Sequence, residues 1–428
     1  MRSILSNQID KGNLMISCNI GTRAQPLSGA VVKLFQTDGL GNEKQLEQLT
    51  TDANGQTPQI SLPAPPLDYS LVPMSPMPYS QYDIMVEADG FEPMAVRDIQ
   101  VLPETTALQD CILSPETIIS QQNEKEIIII DHHTLYYEYP EKIPESAVKD
   151  LPPPTGFVVL DRVVVPETIV VYDGKPDIPG AAKYYVPFRD YIKNVASSEI
   201  YANWPVNSIK ANVLAILSFT LNRVFTEWYR GKGKDFTITS STSFDQAYMH
   251  GRNIFTEISQ VVDEIFTSFI TKPDIRQPLF SQYCDGVRVK RDGWLSQWGS
   301  KDLAEKGYTT IDILRNYYGS NVYLDAAVKV AGIPQSYPGF VLKAGSTGDA
   351  VRTIQRQLNA ISNNYPAIKK VAVDGVFGQS TTDAVKMFQS IFNLTQDGIV
   401  GFGTWYKISD IYVAIEKLAA AHFKGNAG

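Results

Sequence analysis

The sequence predicts a multidomain α+β protein, with a β-sandwich in front, a mixed α/β domain in the centre and a three-helix bundle at the end. Three observations carry that reading. At 428 residues the chain exceeds what one ordinary core fills. Its apolar pattern passes from period two near the start to spacings of three and four further on. A proline-rich stretch lies between the two regimes. Hydrophobic content of 43% and charged content of 20% are those of a folded protein.

Residues 1–115 form the first unit. Short alternating runs, "LMISCNI", "AVVKLFQ" and "YDIMVEA", are separated by the turn signals "DGLGN", "DANGQ" and "ADGFEP". That spacing predicts a small antiparallel β-sandwich. Residues 116–155 are a linker, in which "IIIIDHHTLYYEYP" passes into "EKIPESAVKDLPPP". Pro152 to Pro154 neither continue a helix nor donate to a sheet, so the segment belongs at the surface. Exposed linkers are where proteases cut. Glu145, Ser146, Ala147, Val148 and Lys149 therefore read either as a processing site or as plain connection.

Residues 156–335 mix β-branched runs ("VVLDRVVVPETIVVYDG") with helical patterns. Ile209, Val213, Leu217, Leu221, Val224 and Trp228 recur every three or four residues, which predicts a helix from near Asn207 with one buried stripe. Just ahead of it, in "YIKNVASSEIYANWP", Glu199 stands among small, apolar and aromatic residues, with no basic residue closer than Lys193 or Lys210. In residues 336–428, Val351, Ile354, Leu358 and Ile361 share one helical face, and "VDGVFGQSTTDAVKMFQ" and "QDGIVGFGTWYKI" repeat an Asp-Gly-x-x-Gly turn that leads into a helix. Glycine at such turns supplies the positive φ that other residues resist. A three-helix bundle follows.

Composition excludes several classes. A formal charge of -8 argues against a nucleic-acid partner. No run of about 18 apolar residues is present to span a membrane. "MRSILSNQIDKGNL" lacks the apolar core of a Sec signal peptide. Cys18, Cys111 and Cys284 are too scattered for a zinc knuckle; Cys18 and Cys111 read as small buried hydrophobes or, in an oxidising compartment, as a bridge. His132 and His133 are adjacent and would face opposite sides of a strand. No metal and no cofactor is expected.

The motifs also carry resemblances. "PLSGAVVKLFQTDG", "LTTDANGQTPQISLP" and "YDIMVEADGFEP" resemble the transthyretin-like or carboxypeptidase-regulatory-like module, which implies a scaffold or chaperoning sandwich. "LKAGSTGDAVRTIQRQLN", "VDGVFGQSTTDAVKMFQ" and "DGIVGFGTW" resemble the three-helix peptidoglycan-binding domain of cell-wall hydrolases. That likeness implies a shallow groove for carbohydrate or stem peptide, here assigned to Asp374 and Phe377. In the centre, "PFRDYIKNVASSEIYANWPVNSIKANVLAILSFTLNR", "TSSTSFDQAYMHG", "FSQYCDG" and "WLSQWGSKDLAEKGYTTIDILRNYYGS" together resemble the catalytic domain of stage II sporulation protein D and its amidase-enhancer relatives. These are peptidoglycan lytic transglycosylases. This chain departs from the pattern in two places: Arg291 and Asp292 fall where relatives carry a zinc-binding histidine, and Leu217 falls where they often carry an arginine, with Arg223 nearby.

Taken in order, the three modules resemble the germination-specific spore cortex-lytic enzymes of the SleC type. The likeness implies a bacterial spore protein of the cortex/coat boundary, acting on muramic-lactam-containing spore cortex peptidoglycan. It also implies a pro-region removed by a subtilisin-like germination protease near Glu145 to Leu151.

The chemistry of a lone carboxylate suits such an enzyme. Hydrolytic glycosidases need two carboxylates, whereas a lytic transglycosylase needs one. The acid protonates the departing oxygen, then as base helps the sugar's own C6 hydroxyl close a 1,6-anhydro ring, an intramolecular attack of high effective molarity. Glu199 is the expected general acid/base, and its uncharged neighbours supply the desolvation that keeps a proton on the acid. Tyr191, Gln282, Ser296 and Gln297 are candidates to bond sugar hydroxyls or the N-acetyl group. Tyr201, Trp204, Trp294 and Trp298 are candidates to stack on sugar faces. Asp285 and Asp292 would orient Glu199 or, in the alternative of a hydrolytic muramidase or glucosaminidase, activate water. A further alternative is a non-catalytic wall-binding activator.

Overall fold

Alternation of buried and exposed side chains builds the front of the molecule. The computed structural model describes residues 9–21, 24–37, 41–116, 126–150 and 162–425, with side chains to residue 417. The start of the chain at 1–8, the linker portions 117–125 and 151–155 with Pro152 to Pro154, and the opening of the β-branched run at 156–161 lie outside the described residues.

Eight strands make the sandwich: β1 (Asp10–Ile20), β2 (Val31–Thr37), β3 (Glu43–Thr50), β4 (Ile60–Ala64), β5 (Ser80–Glu87), β6 (Met94–Val101), β7 (Thr106–Leu113) and β8 (Glu126–Ile129), with a single helical turn α1 (Asp68–Leu71) between β4 and β5. One sheet has the order β3-β2-β5-β6-β8 and the other contains β7-β1-β4. Leu14, Ile16, Val32, Leu34, Ile84, Val86 and Val96 point inward at period two and are buried. The sandwich differs from the antiparallel expectation. β1 runs parallel to β7, with Asn13 opposite Thr106 and Ile20 opposite Leu113, and β6 runs parallel to β8. The physical reason is closure: the first and last strands of one sheet lie side by side, and Glu126–Ile129 adds a further strand beyond residue 115. Cys18 and Cys111 are opposite neighbours in the parallel pair, fully buried free thiols, and the hydrogen bond between them, then burial, pushes the Cys111 thiol up.

The centre contains β9 (Val164–Val165), β10 (Thr168–Tyr172), β11 (Lys183–Pro187), α2 (Phe188–Glu199), α3 (Val206–Phe225), β12 (Ile238–Thr239), β13 (Ile254–Phe255), α4 (Thr256–Ile265), β14 (Ser268–Thr271), β15 (Tyr283–Cys284), β16 (Leu295–Ser296), α5 (Gln297–Glu305), α6 (Thr310–Tyr318), β17 (Tyr323–Ala326) and β18 (Lys329–Val330). Pro187 and Pro205 immediately precede α2 and α3, where a missing N–H costs nothing. α3 is buried on every side, not along one stripe, because α2, α4, α5, α6 and β14 all pack on it. Most of its buried polar side chains find partners: Ser218 donates to the Leu214 carbonyl, Asn212 to the Ser208 carbonyl and Asn222 to Gln277, while Asn222 Oδ1 has none. Trp228 lies beyond its end.

At the C-terminus, α7 (Asp349–Ile361), α8 (Gln379–Ile391) and α9 (Phe402–Gly425) close over Val351, Ile354, Leu358 and Ile361. The repeated turns are the same device used twice. Gln355 donates to Asp374, the Val376 carbonyl and Thr381 while accepting from Gly375 N–H; Gln389 donates to Asp397, the Ile399 carbonyl and Thr404 while accepting from Gly398 N–H.

The units interlock. β13 of the centre pairs with β7, extending a sandwich sheet, and Glu257 at the start of α4 accepts the Thr106 N–H at 3.3 Å. The other Glu257 oxygen is buried without a partner, and burial pushes this carboxyl up to about 6. A carboxyl raised on folding adds stability below the unfolded value near 4.5 that disappears as pH rises through 6. The Glu257→Gln variant is therefore expected to unfold with a flatter pH profile, removing a loss of about 2 kcal/mol between those pH values; denaturant melts across that range measure it.

Candidate active site

Glu199 ends α2 because Ile200 turns to extended backbone, which halts the helix and leaves the carboxylate pointing into the interior. Oε1 accepts the Ala247 N–H at 2.8 Å, whereas Oε2 is buried with no hydrogen-bond partner. Beside it lies the Tyr283 phenol, also buried and without a geometrically formed bond. Burial first, and then the Glu199 charge, push that phenol well above its ordinary value. Tyr191, two turns earlier on α2, donates to Gln246 Oε1 at 3.0 Å, and Thr220 donates to the same oxygen at 2.8 Å. Gln246 is thereby fixed between α2 and α3, and with it the Asp245–Ala247 backbone that holds Glu199.

The neighbouring charges come from the linker. Residues 133–149 run as a strap across the mouth of this site. Thr134 N–H donates to the Ser198 carbonyl, and Arg288 donates to the carbonyls of Thr134, Leu135, Tyr136 and Tyr137. Lys142 donates to the Asp245 carbonyl at 2.5 Å and its ammonium sits 4.7 Å over the Tyr283 ring. Burial lowers that ammonium's pKa, opposed first by the Glu199 charge. Gln282 accepts the Glu145 N–H at 2.9 Å and donates to the Ile143 carbonyl at 2.8 Å. Gln277 makes the same two-way pairing with the Lys149 backbone, at 3.0 and 2.8 Å. Glu145 meets the Arg223 guanidinium two-pronged, at 2.6 and 3.1 Å. Burial alone would raise Glu145, but Arg223 and then Lys149 hold it below the usual carboxylate range. Burial also opposes the Arg223 charge, but Asp245 and Glu145 outweigh it and hold the guanidinium above its ordinary value. Asp245 is saturated by Arg223 Nε, the Tyr229 hydroxyl and both donors of Thr239.

The structure brings Glu199, Tyr191 and Gln282 into one site and puts other expected residues elsewhere. Asp285 accepts the N–H groups of Val287, Arg288 and Val289, so its carboxylate holds a loop together, and Asp292 is exposed. Ser296 caps α5 through the Gly299 N–H, and Gln297 is buried in its first turn. Gly286 packs so closely on this cap that a Cβ there would fall 1.7 Å from Ser296 Oγ. Tyr201, Trp204 and Trp298 do not face solvent; they pack on one another, with Trp204 and Trp298 ring centres 4.9 Å apart, and Trp204 donates to the Ser70 carbonyl in α1. Phe377 is in the bundle core, and Asp374 is committed to Gln355 and the Val376 N–H. The contributions of Lys142, Ala247, Gln246 and Tyr283 had no local signal, because each comes from a segment far from Glu199 in sequence. Among the described residues, no three His, Cys, Asp or Glu side chains are grouped to hold a metal ion.

Comparison with known proteins adds two matches. The family described as "Stage II sporulation protein" matches residues 181–270, and that described as "Putative peptidoglycan binding domain" matches residues 347–408. Over 68 residues the chain is 43% identical to the zinc D-Ala-D-Ala carboxypeptidase of Streptomyces albus G, which covers 16% of this chain and 25% of that protein. It is 41% identical over 69 residues to an uncharacterized protein in the bpoA1 3' region of Kitasatospora aureofaciens, covering 16% of this chain and 54% of that one. The chain thus spans about a quarter to a half of the curated relatives it matches. Among solved structures, the SleB N-terminal domain aligns at 30% identity over 18% of this chain and 99% of that chain with a TM-score of 0.16. Transthyretin from Sparus aurata aligns at 18% identity over 24% and 91% with a TM-score of 0.16. The chain therefore carries a region similar to the stage II sporulation protein family and a C-terminal region similar to peptidoglycan-binding domains.

Removing one partner from a buried ion pair strands the other. Asp245→Ala is expected to cost about 3–5 kcal/mol in a denaturant titration.

Proposed function

We propose that the chain is the zymogen of a peptidoglycan lytic transglycosylase that cleaves the MurNAc-GlcNAc bond of spore cortex and leaves 1,6-anhydro-muramic ends. The carrying observation is Glu199: one oxygen fixed by a backbone N–H, the other buried and free to meet a glycosidic oxygen. Its proton passes to the departing oxygen as the C1–O bond breaks. The carboxylate then takes the C6 hydroxyl proton as O6 bonds to C1, which restores the acid. Asp285 spends its oxygens on loop N–H groups, which favours this single-carboxylate route over hydrolysis.

The strap supports the zymogen half of the reading. It covers the Glu199 site, while α1 of the sandwich holds Trp204 through the Ser70 carbonyl. Ser146, Ala147 and Val148 are exposed and outside any helix or strand, accessible to a germination protease. The units in this proposal are a sandwich pro-domain over 1–115, a linker with the processing site over 116–155, a catalytic domain over 156–335 and a wall-binding domain over 336–428.

Two measurements test it. Mass spectrometry of cortex digested by the processed protein is expected to find anhydro-muramic termini, and Glu199→Gln should lower their release about 10²–10⁴-fold. Reducing termini would point to a hydrolase, and unchanged lysis in the variant to a non-catalytic activator. N-terminal sequencing of the protein from germinating spores should find a start between Pro140 and Pro154; a start elsewhere would sink the linker proposal.

A further inference from the structure

On the reading just given, in which this cleft takes a glycan, we propose that Arg223 and Gln282 form a subsite for the carboxylate and amide of a muramyl substituent, occupied here by Glu145 of the strap as a stand-in. The guanidinium has one set of contacts that stays and one that leaves. Nε is committed to Asp245 at 2.7 Å, and one Nη2 hydrogen to the Phe244 carbonyl at 3.0 Å. The remaining fork, across Nη1 and Nη2, holds Glu145. Asp245 already balances the charge, so the second carboxylate is supplementary, and a planar fork matches a carboxylate in just this two-pronged way. Phe280 and Trp228 lie 4.3 and 4.8 Å from the guanidinium carbon, so the fork is held rigidly.

Gln282 has the complementary chemistry for an amide. Its side chain is buried, and both of its polar atoms bond strap backbone, one accepting an N–H and one donating to a carbonyl. An N-acetyl group or a peptide bond offers that same pair. Departure of the strap leaves the fork and the amide facing the cleft together.

The fork and the acid share a neighbour: Lys142 of the strap bonds the Asp245 carbonyl, sits over the Tyr283 ring and feels both the Glu199 and the Arg223 charge, while Gln282 holds the same strap at Ile143 and Glu145. In the proposal, a glycan with its scissile bond at Glu199 lays a ring substituent toward this fork. N-acetylglucosamine offers an acetamide only. A muramyl residue adds the lactyl carboxylate or, when substituted, a peptide with amides and a carboxylate.

The test uses the full chain and isothermal titration with N-acetylmuramic acid, N-acetylmuramoyl-L-alanyl-D-isoglutamine and, as the carboxylate-free control, N-acetylglucosamine. Glu145→Arg sets a second cation against the fork and expels the strap; Glu145→Ala only vacates the fork. Expected is at least tenfold tighter binding of a carboxylate-bearing sugar to Glu145→Arg than to the wild-type chain, a smaller gain in Glu145→Ala, and no gain for N-acetylglucosamine. Tightening by N-acetylmuramic acid assigns the lactyl carboxylate, and tightening by the dipeptide alone assigns the peptide carboxylate. The wild-type chain keeps the same C-terminal domain, so the difference isolates the fork. Affinities within twofold of wild type in both variants, or an equal gain for N-acetylglucosamine, overturn the proposal. Should Glu145→Arg fail to fold, Glu145→Ala decides. Bond cleavage by the Glu199→Gln variant is read separately, so loss of the enzymatic reading and loss of this subsite give different results.

Discussion

A guanidinium taken out of water has to keep its partners, and Arg223 is almost completely buried between two carboxylates. Asp245 is part of the permanent structure, itself saturated by Tyr229 and Thr239. Glu145 comes instead from a strap with no helix or strand of its own. The cost of leaving a buried charge or amide unpaired is what gives an irregular segment a defined path. Gln282 and Gln277 act on the strap backbone as Arg223 acts on its side chain, replacing the sheet partners the segment lacks.

The same principle joins the three units. Asp263 on α4 takes Arg189 and Lys193 from α2, and Arg189 reaches on to the Tyr406 carbonyl and Asp410 of α9. Burial alone would raise Asp263, but Lys193 and Arg189 hold it below the usual carboxylate range. Gln56 of the sandwich donates to the Ile391 carbonyl at the end of α8, and Asn364 after α7 donates to the Ala24 carbonyl. The C-terminal bundle therefore touches both the sandwich and the helix that ends in Glu199.

How much of this was legible in the sequence depended on the distance over which each feature is determined. Strand alternation, the long helix expected from near Asn207 and the paired Asp-Gly turns are local, and they are present where the pattern puts them. Glu199 could be singled out because a carboxylate among apolar neighbours is a local anomaly. Its partners could not, since Ala247 is 48 positions away and Lys142 lies in another unit. Aromatic residues misled for a related reason. Tyr201 and Trp204 follow the acid directly, which suggests sugar stacking, but composition does not reveal that Trp298 packs on both and that α1 holds Trp204. Strand direction in the sandwich likewise depends on which strands close the sheet, a property of the whole module.

If the linker is a processing site, one cut near Val148 alters almost no contact in the cleft. Glu145 still meets Arg223, and Gln282 still meets the Glu145 and Ile143 backbone. The connection is what changes. Before the cut, the strap is tethered on both sides and rebinds as an intramolecular partner at high effective concentration. After it, Lys149 and its pairing with Gln277 belong to a different fragment, so the Glu145 portion keeps fewer anchors on the catalytic side. A substrate carboxylate then competes with a looser occupant. The covering of Trp204 by α1 depends in turn on the sandwich staying docked, through β13 against β7 and through Glu257. Loosening of the strap and undocking of the sandwich are thus separate steps in that reading, and the second must break the pairing of β13 with β7.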